Sequence, residues 1–106
     1  MNDSEFNVLA ETALKRVEAG LEASGADLDF ARVSSGVLEI EFAGGSKIIV
    51  NRHAAAQEMW VAARSGGFHF HWDGAAWRDT RTGGELMADL SALVSAQAGE
   101  AIDLGG

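Results

Sequence analysis

The hydrophobic positions of this chain follow a helical period at its two ends and a strand period between them. From residue 4 to 23, apolar side chains recur every three or four positions, which predicts an amphipathic helix with one face on a core. The predicted apolar stripe consists of Phe6, Leu9 or Ala10, Ala13, Leu14, Val17 and Leu21. We expect the helix to end near Ser24 and Gly25, because glycine readily adopts the left-handed conformation of a C-cap.

Alternation of apolar and polar residues predicts six short strands in the middle of the chain. The strands are expected at residues 27–30, 38–42, 47–51, 58–63, 68–72 and 77–79. Serine- and glycine-rich turns separate the first three, at residues 34–36 and 43–45. Because all the connections are short, neighbouring strands should pair antiparallel.

A second helix is predicted after the last strand. Thr82 and Glu85 have the spacing of a Thr-x-x-Glu capping box. They precede a helix face made of Leu86, Leu90, Leu93, Val94 and Gln97. Gly99 is the expected C-cap, and Ile102 and Leu104 of the tail should pack under a helix.

The order of the elements, one helix, six strands and one helix, indicates an α+β fold in one domain that spans residues 1–106. The expected architecture is a two-layer sandwich, with a twisted antiparallel sheet and both helices on one of its faces. The other face of the sheet must then meet water or a partner.

Strand parity places one tryptophan on that open face. If Val61 and its in-phase neighbours point into the core, Trp60 points outward, and the same rule places Asn51, His69 and His71 outside. An outward tryptophan beside polar side chains is typical of a binding hot spot. The alternative is an ordinary exposed aromatic residue that covers the sheet edge.

The amino-acid composition excludes several classes of functional site. The chain has no cysteine, which excludes disulfides, thiolate catalysis, zinc knuckles and a cysteine-ligated iron–sulfur cluster. Its first residues are acidic where a signal peptide needs basic ones, and no long apolar stretch follows. We therefore expect a protein of the bacterial cytoplasm, with the mature form of an organelle protein as the minor option.

Charge is distributed unevenly along the chain. The net charge is −8, and residues 1–31 carry seven acids against two bases while residues 85–106 carry four acids and no base. Nucleic acids and anionic membranes are disfavoured partners, because both select basic surfaces. A basic protein surface or a cation is the favoured partner.

Three carboxylates of the first helix should lie along one solvent-facing arc. Glu11, Glu18 and Glu22 are separated by seven and four positions, and Lys15 sits between the first two. Such an arc could hold a hard cation, which prefers oxygen ligands. The alternative is that the carboxylates only solvate a helix face.

Catalytic signatures are lacking in the sequence, so no enzyme activity and no catalytic residue is predicted. Neither Gly44-Gly45 nor Gly66-Gly67 belongs to a phosphate-binding loop, and no HExxH motif is present. His69 and His71 share a strand face and could hold a metal together with His53, but a pair without an assured third ligand favours ordinary solvent-facing residues.

The sequence resembles the frataxin family, in its bacterial CyaY branch. The likeness is carried in order by MNDSEF, GVLEIEF, GSKIIVN, EMWVAA, GGFHF and QAGE, and it covers essentially the whole chain. The resemblance implies an α-β sandwich that acts in iron–sulfur cluster assembly. It also implies weak binding of Fe²⁺ or Fe³⁺ on an acidic ridge, docking on the cysteine desulfurase and the scaffold protein, and a monomeric state.

The resemblance assigns two sets of residues. The ridge that would bind iron falls on Asp3, Glu11, Glu18, Glu22, Asp27 and Asp29, with Glu5 nearby. The residues that would contact the partner are Trp60, Asn51, His53, Glu18 and Glu22. Small residues stand at 19, 20 and 23, where relatives often place acids, so we expect a thinner ridge and weaker iron binding than in more acidic members.

Two further functions remain open at this point. The first is a metal-independent module that regulates a basic partner through its acidic surface. The second is an iron oxidase or iron store, which would need ordered oligomers and turnover of Fe²⁺ with oxygen. Whether the protein inhibits, activates or delivers iron is not decided by the sequence.

Overall fold

The computed structural model describes residues 1–105 and shows two helices and one six-stranded sheet. The elements are α1 (Asp3–Ser24), β1 (Leu28–Ser34), β2 (Val37–Phe42), β3 (Lys47–His53), β4 (Glu58–Ala63), β5 (Gly66–Trp72), β6 (Trp77–Asp79) and α2 (Leu86–Ala98). The strands lie in sequence order and every neighbouring pair is antiparallel. The predicted α+β fold is confirmed.

One hydrophobic core joins both helices to the inner face of the sheet. The buried positions of α1 are Phe6, Ala10, Ala13, Leu14, Val17 and Leu21, which repeats the predicted stripe. They meet the inward residues of the sheet, and those of β2 to β5 are Leu38, Ile40, Phe42, Ile48, Val50, Met59, Val61 and Phe70. Strand parity therefore leaves the outer face of the sheet without a covering layer in residues 1–105.

The first helix is fixed at both ends by local sequence. Asn2 is the N-cap, since its side-chain oxygen accepts a hydrogen bond from the Glu5 amide at 2.8 Å, and the Glu5 carboxylate accepts one from the Asn2 amide at 3.4 Å. Gly25 ends the helix in the left-handed conformation, with φ of 64°, as predicted.

The predicted capping box of α2 is wrong. Glu85 itself is the N-cap, and its carboxylate accepts a hydrogen bond from the Met87 amide at 2.9 Å. Thr82 lies in the preceding turn, where its amide is bound by the buried carboxylate of Asp79 at 3.2 Å. Asp79 thus closes a separate turn before the helix. Thr82 belongs to this turn and not to the first turn of α2, so it does not cap the helix.

The tail packs as predicted. Ile102 and Leu104 are buried in the core. The Ser95 hydroxyl donates to the Ile102 carbonyl at 2.9 Å and accepts from the Ile102 amide at 2.8 Å, while the Ser91 hydroxyl accepts from the Leu104 amide at 3.0 Å. Gly20 of α1 allows the close approach of Leu104, because any side chain there would overlap the Leu104 carbonyl.

Strand β1 is longer than predicted and irregular. It runs from Leu28 to Ser34 rather than over residues 27–30, and its register against β2 shifts between Arg32 and Ser34. Val33 is the extra residue of this bulge and is exposed. Leu28, Phe30 and Arg32 alternate with exposed residues, so the Arg32 side chain lies on the helix side of the sheet.

Candidate functional site

The six predicted ridge residues do not form one continuous surface. Glu11 and Glu18 are half-buried at the seam between α1 and β1, whereas Glu22 is exposed farther along α1. Asp3 is exposed at the other end of the helix, roughly 28 Å from Glu22 at about 1.5 Å per residue. The structure therefore brings only Glu11 and Glu18 into one ionic cluster.

Asp27 and Asp29 belong to the β1–β2 edge. Both line a hollow of about 220 Å³ together with Glu41, a residue outside the predicted ridge. Asp29 stands directly opposite Glu41 in the strand register, on the outer face of the sheet. Cross-strand register, which pairs these two acids, is the signal that could have identified Glu41.

Arg32 joins the two helix carboxylates. Its Nη1 donates to Glu11 Oε1 at 3.2 Å and its Nη2 donates to Glu11 Oε2 at 2.8 Å, a two-point contact. The same Nη2 donates to Glu18 Oε1 at 2.9 Å. The hydrogen bond from Arg32 lowers the pKa of Glu11, and the hydrogen bond to Glu11 raises the pKa of Arg32.

The role of Arg32 was missed because β1 was predicted to end at residue 30. Extending the alternation of Leu28 and Phe30 by two positions would have placed Arg32 on the inner face, beneath α1. A basic residue there needs a partner, and the nearest acids of α1 supply it.

Three aromatic rings form a stack on the outer face of the sheet. The rings of His53 and Trp60 are nearly parallel with centroids 3.6 Å apart, and those of Trp60 and His69 are nearly parallel at 4.3 Å. The two imidazoles thus cover both faces of the indole. Trp60 lies on the outer face as predicted, but it is half-buried.

Polar contacts hold the stack in place. Trp60 Nε1 donates to Glu58 Oε1 at 2.8 Å, and His69 Nδ1 is 3.8 Å from the same oxygen. The Ala56 amide donates to His53 Nδ1 at 3.2 Å. Side chains fixed in this way lose little further conformational freedom when a partner binds.

The surroundings of the stack are also polar. Asn51 on β3 is paired directly with Trp60 on β4. Its side-chain amide donates a hydrogen bond to the Arg52 carbonyl at 3.3 Å. His71 is exposed and lies opposite Glu58 and Arg78 in the register. The outer face therefore combines an aromatic centre with hydrogen-bonding groups around it.

Within residues 1–105, no group of three or more Asp, Glu or His side chains converges to hold a metal ion. The carboxylates of the ridge can still attract hydrated cations, since such binding needs charge but no closed ligand cage.

Neither helix in residues 1–105 is both long enough and apolar enough to cross a membrane.

Comparison with known proteins covers nearly the whole chain. The family described as Frataxin-like domain matches residues 1–100. The protein named Iron-sulfur cluster assembly protein CyaY from Dechloromonas aromatica is 69% identical over 104 residues, which cover 98% of this chain and 99% of that protein. The protein of the same name from Cupriavidus necator is 52% identical over 109 residues, covering 99% and 97%. The solved structure of a frataxin from Psychromonas ingrahamii, described as a model for stability modulation within the CyaY protein family, is 35% identical, covers 100% of both chains and has a TM-score of 0.92.

Proposed function

The chain belongs to the frataxin-like family, and from this premise we propose that it is an iron-binding accessory protein of iron–sulfur cluster assembly. In this role it regulates a cysteine desulfurase by docking on the complex of desulfurase and scaffold protein in the bacterial cytoplasm. The observation that carries the proposal is the 69% identity over 98% of the chain to a relative whose name assigns it to cluster assembly.

Long-range attraction comes from the acidic ridge. Glu22, Asp27 and Asp29 are exposed, and Glu18 on α1 is partly exposed. A surface of one charge sign accelerates encounter with a partner of the opposite sign, and salt weakens the effect. The expected partner surface is an arginine-rich patch of the desulfurase.

Short-range contact comes from the outer sheet face. Trp60, held between His53 and His69, and the neighbouring Asn51 present a rigid aromatic and amide surface. Tryptophan side chains at the centre of an interface commonly carry much of its binding energy. This surface fixes the orientation of the complex after the ridge has attracted the partner.

Iron is the cargo of the ridge rather than a resident cofactor. Exposed carboxylates suit Fe²⁺ and Fe³⁺, which accept oxygen ligands, but the absence of a converging group of three in residues 1–105 fits only shallow, hydrated binding. Bound iron would neutralise part of the ridge and so change the strength of docking. Protons compete for the same oxygens, so iron affinity should fall in acid.

A second candidate is a metal-independent module that regulates the same basic partner. It is favoured by the contacts of Arg32, which already occupies Glu11 and Glu18 and so limits the carboxylates left for iron. Docking without iron would require only the charge of the ridge and the sheet face.

A reconstituted assembly assay separates these functions. Cluster formation and desulfurase activity are measured with and without the protein over a range of Fe²⁺ concentrations, and again with the Glu18→Gln, Glu22→Gln double variant. An effect on either rate that depends on iron and is lost in the variant supports the proposed function. An effect on either rate that is the same with and without iron and is lost equally in the variant supports the metal-independent module. No effect of the wild-type protein on either rate rejects both functions.

A further inference from the structure

We propose that Arg32 is a built-in counter-ion that closes the Glu11 and Glu18 part of the ridge to external cations and thereby sets where the ridge binds them. The inference deepens the proposed function, on which it rests for the identity of the cation. It assigns metal binding to the remaining acids of the ridge, chiefly Glu22, Asp27 and Asp29.

The first support is the geometry of the ion pair. Arg32 makes three hydrogen bonds of 2.8 to 3.2 Å to Glu11 and Glu18, and both oxygens of Glu11 are engaged. Planar two-point contacts of this kind are stronger and more directional than a single contact to a lysine ammonium. A metal ion that used Glu11 would have to share its oxygens with Arg32, whose positive charge repels it, or displace one of these bonds.

The second support is the environment of the guanidinium. The Arg32 side chain is only 25% exposed, and its Nε is buried with no hydrogen-bond partner. Removing the two carboxylates from Arg32 would leave a half-buried charge with even fewer partners, which is unfavourable. The protein thus resists any exchange of its own cation for a hydrated metal ion.

The third support is the backbone. The bulge at Val33 ends the regular alternation of β1, so Arg32 is the last residue that this strand directs towards α1. Arg32 is therefore attached to a paired strand rather than to a loose loop. Because it is tethered, the guanidinium competes for the two carboxylates at a high effective concentration. A free metal ion would need a comparable concentration in solution to displace it.

Other basic groups act in the same direction. Lys15 and Arg52, as well as Arg32, lower the pKa of Glu11 through their charge. Glu11 thus faces three positive groups at this part of the seam, and Glu18 faces Arg32. The exposed acids Glu22, Asp27 and Asp29 have no such group of cations bonded to them in residues 1–105.

Substoichiometric Mn²⁺ provides the test. Its paramagnetic broadening falls steeply with distance, so the side-chain carboxyl carbons in a ¹³C-labelled protein report which residues ligate the ion. In the wild-type protein we expect the strongest broadening at Glu22, Asp27 and Asp29, weaker broadening at Glu18, which is one helical turn from Glu22, and none at Glu11. In Arg32→Gln, strong broadening should extend to Glu11 and Glu18. Mn²⁺ should also bind about threefold more tightly or better. This gain is larger than the loss of one distant positive charge would give, because salt screens charges that are far from the ion.

Arg64→Gln is the matched control. Arg64 is exposed at the β4–β5 turn, and the substitution changes the net charge by the same amount. It should leave the broadening pattern and the affinity nearly unchanged. An equal gain of affinity in both variants would overturn the proposal, because net charge alone would then explain the effect.

The wild-type measurement stands even if Arg32→Gln fails to fold. Strong broadening of Glu11 and Glu18 in the wild-type protein overturns the role of Arg32, while the proposed iron binding survives. Absence of broadening along the whole ridge instead rejects iron binding. In that case Arg32 keeps its role only if the Gln variant gains Mn²⁺ at Glu11 and Glu18.

Discussion

Glu11 shows how one contact links acidity to stability. Its folded-state pKa lies below the ordinary value of 4.5, first because Arg32 donates a hydrogen bond to it. The folded protein therefore holds this proton less tightly than the unfolded chain does, and the resulting stabilisation is present above pH 4.5 and disappears as pH falls through the lowered value.

Replacing Glu11 by Gln should make unfolding less sensitive to acid. Urea denaturation at a series of pH values would show a smaller loss of unfolding free energy below about pH 4.5 in the variant than in the wild type. Glu100→Gln, at an exposed position of the tail, is the control and should keep the wild-type profile. Identical profiles for all three proteins would contradict the assigned contact.

Gly20 is required for a steric reason that the sequence does not reveal. A methyl group at this position would overlap the carbonyl of Leu104, so Gly20→Ala should lower the free energy of unfolding by about 1–3 kcal/mol. Gly44 has no heavy atom within 4 Å of an added Cβ, and Gly44→Ala should be nearly neutral. Thermal denaturation of both variants checks the pair, and equal losses would argue against close packing of the tail.

At the level of elements, the start of α2 depends on Glu85 and not on Thr82. Glu85→Ala removes the acceptor for the Met87 amide and should cost about 1 kcal/mol of stability. Thr82→Ala removes only an acceptor for the Gly84 amide in an exposed turn and should have a smaller effect. Chemical denaturation of the two variants gives the comparison, and a larger loss for Thr82→Ala would restore the capping box.

The stack on β3, β4 and β5 should matter for docking more than for folding. Trp60→Ala is expected to weaken binding to the desulfurase–scaffold complex about tenfold or more while lowering the unfolding free energy by about 1–2 kcal/mol. Trp77→Ala is the contrast, because Trp77 is 4% exposed and should lose about 3–5 kcal/mol. Binding and chemical denaturation are measured on both variants. If Trp60 belonged to the core, Trp60→Ala would lower the unfolding free energy as much as Trp77→Ala does.

Strands and helices were predictable from periodicity because each buries one face, but their ends were not. The bounds of β4 and β6 agree with the sequence analysis, since their alternation is unbroken. β1 was cut short because an arginine occupies an inward position and a bulge follows it. The start of α2 was misplaced because two residues could cap it, and the turn closed by Asp79 decided between them.

For the molecule as a whole, the sequence specified the fold better than the site. Ridge residues that lie close in sequence are divided in space, with Glu18 paired to Arg32 and Asp29 paired across strands with Glu41. These relations depend on strand register and on how far each side chain reaches, and the helical spacing of the acids along α1 contains neither. The stacking of His53 and His69 on Trp60 was hidden for the same reason.

The distribution of the −8 net charge predicts a salt-dependent encounter. Raising the salt concentration from about 50 to about 300 mM should slow association with the desulfurase markedly and change the dissociation rate much less, because screening acts on long-range attraction. Stopped-flow or surface-binding kinetics would separate the two rates. A salt effect confined to dissociation would place the charge contribution inside the formed interface.

The sheet is open, so two of its strands have one side without a neighbour, yet neither offers a good template for another chain. β6 is only three residues long, and β1 is bent by the bulge at Val33 and carries the charged Asp29. Short, bent or charged borders hinder the addition of further strands from solution. These two edge strands therefore protect the protein against fibrous self-association. The protein can leave one face of its sheet uncovered without polymerising.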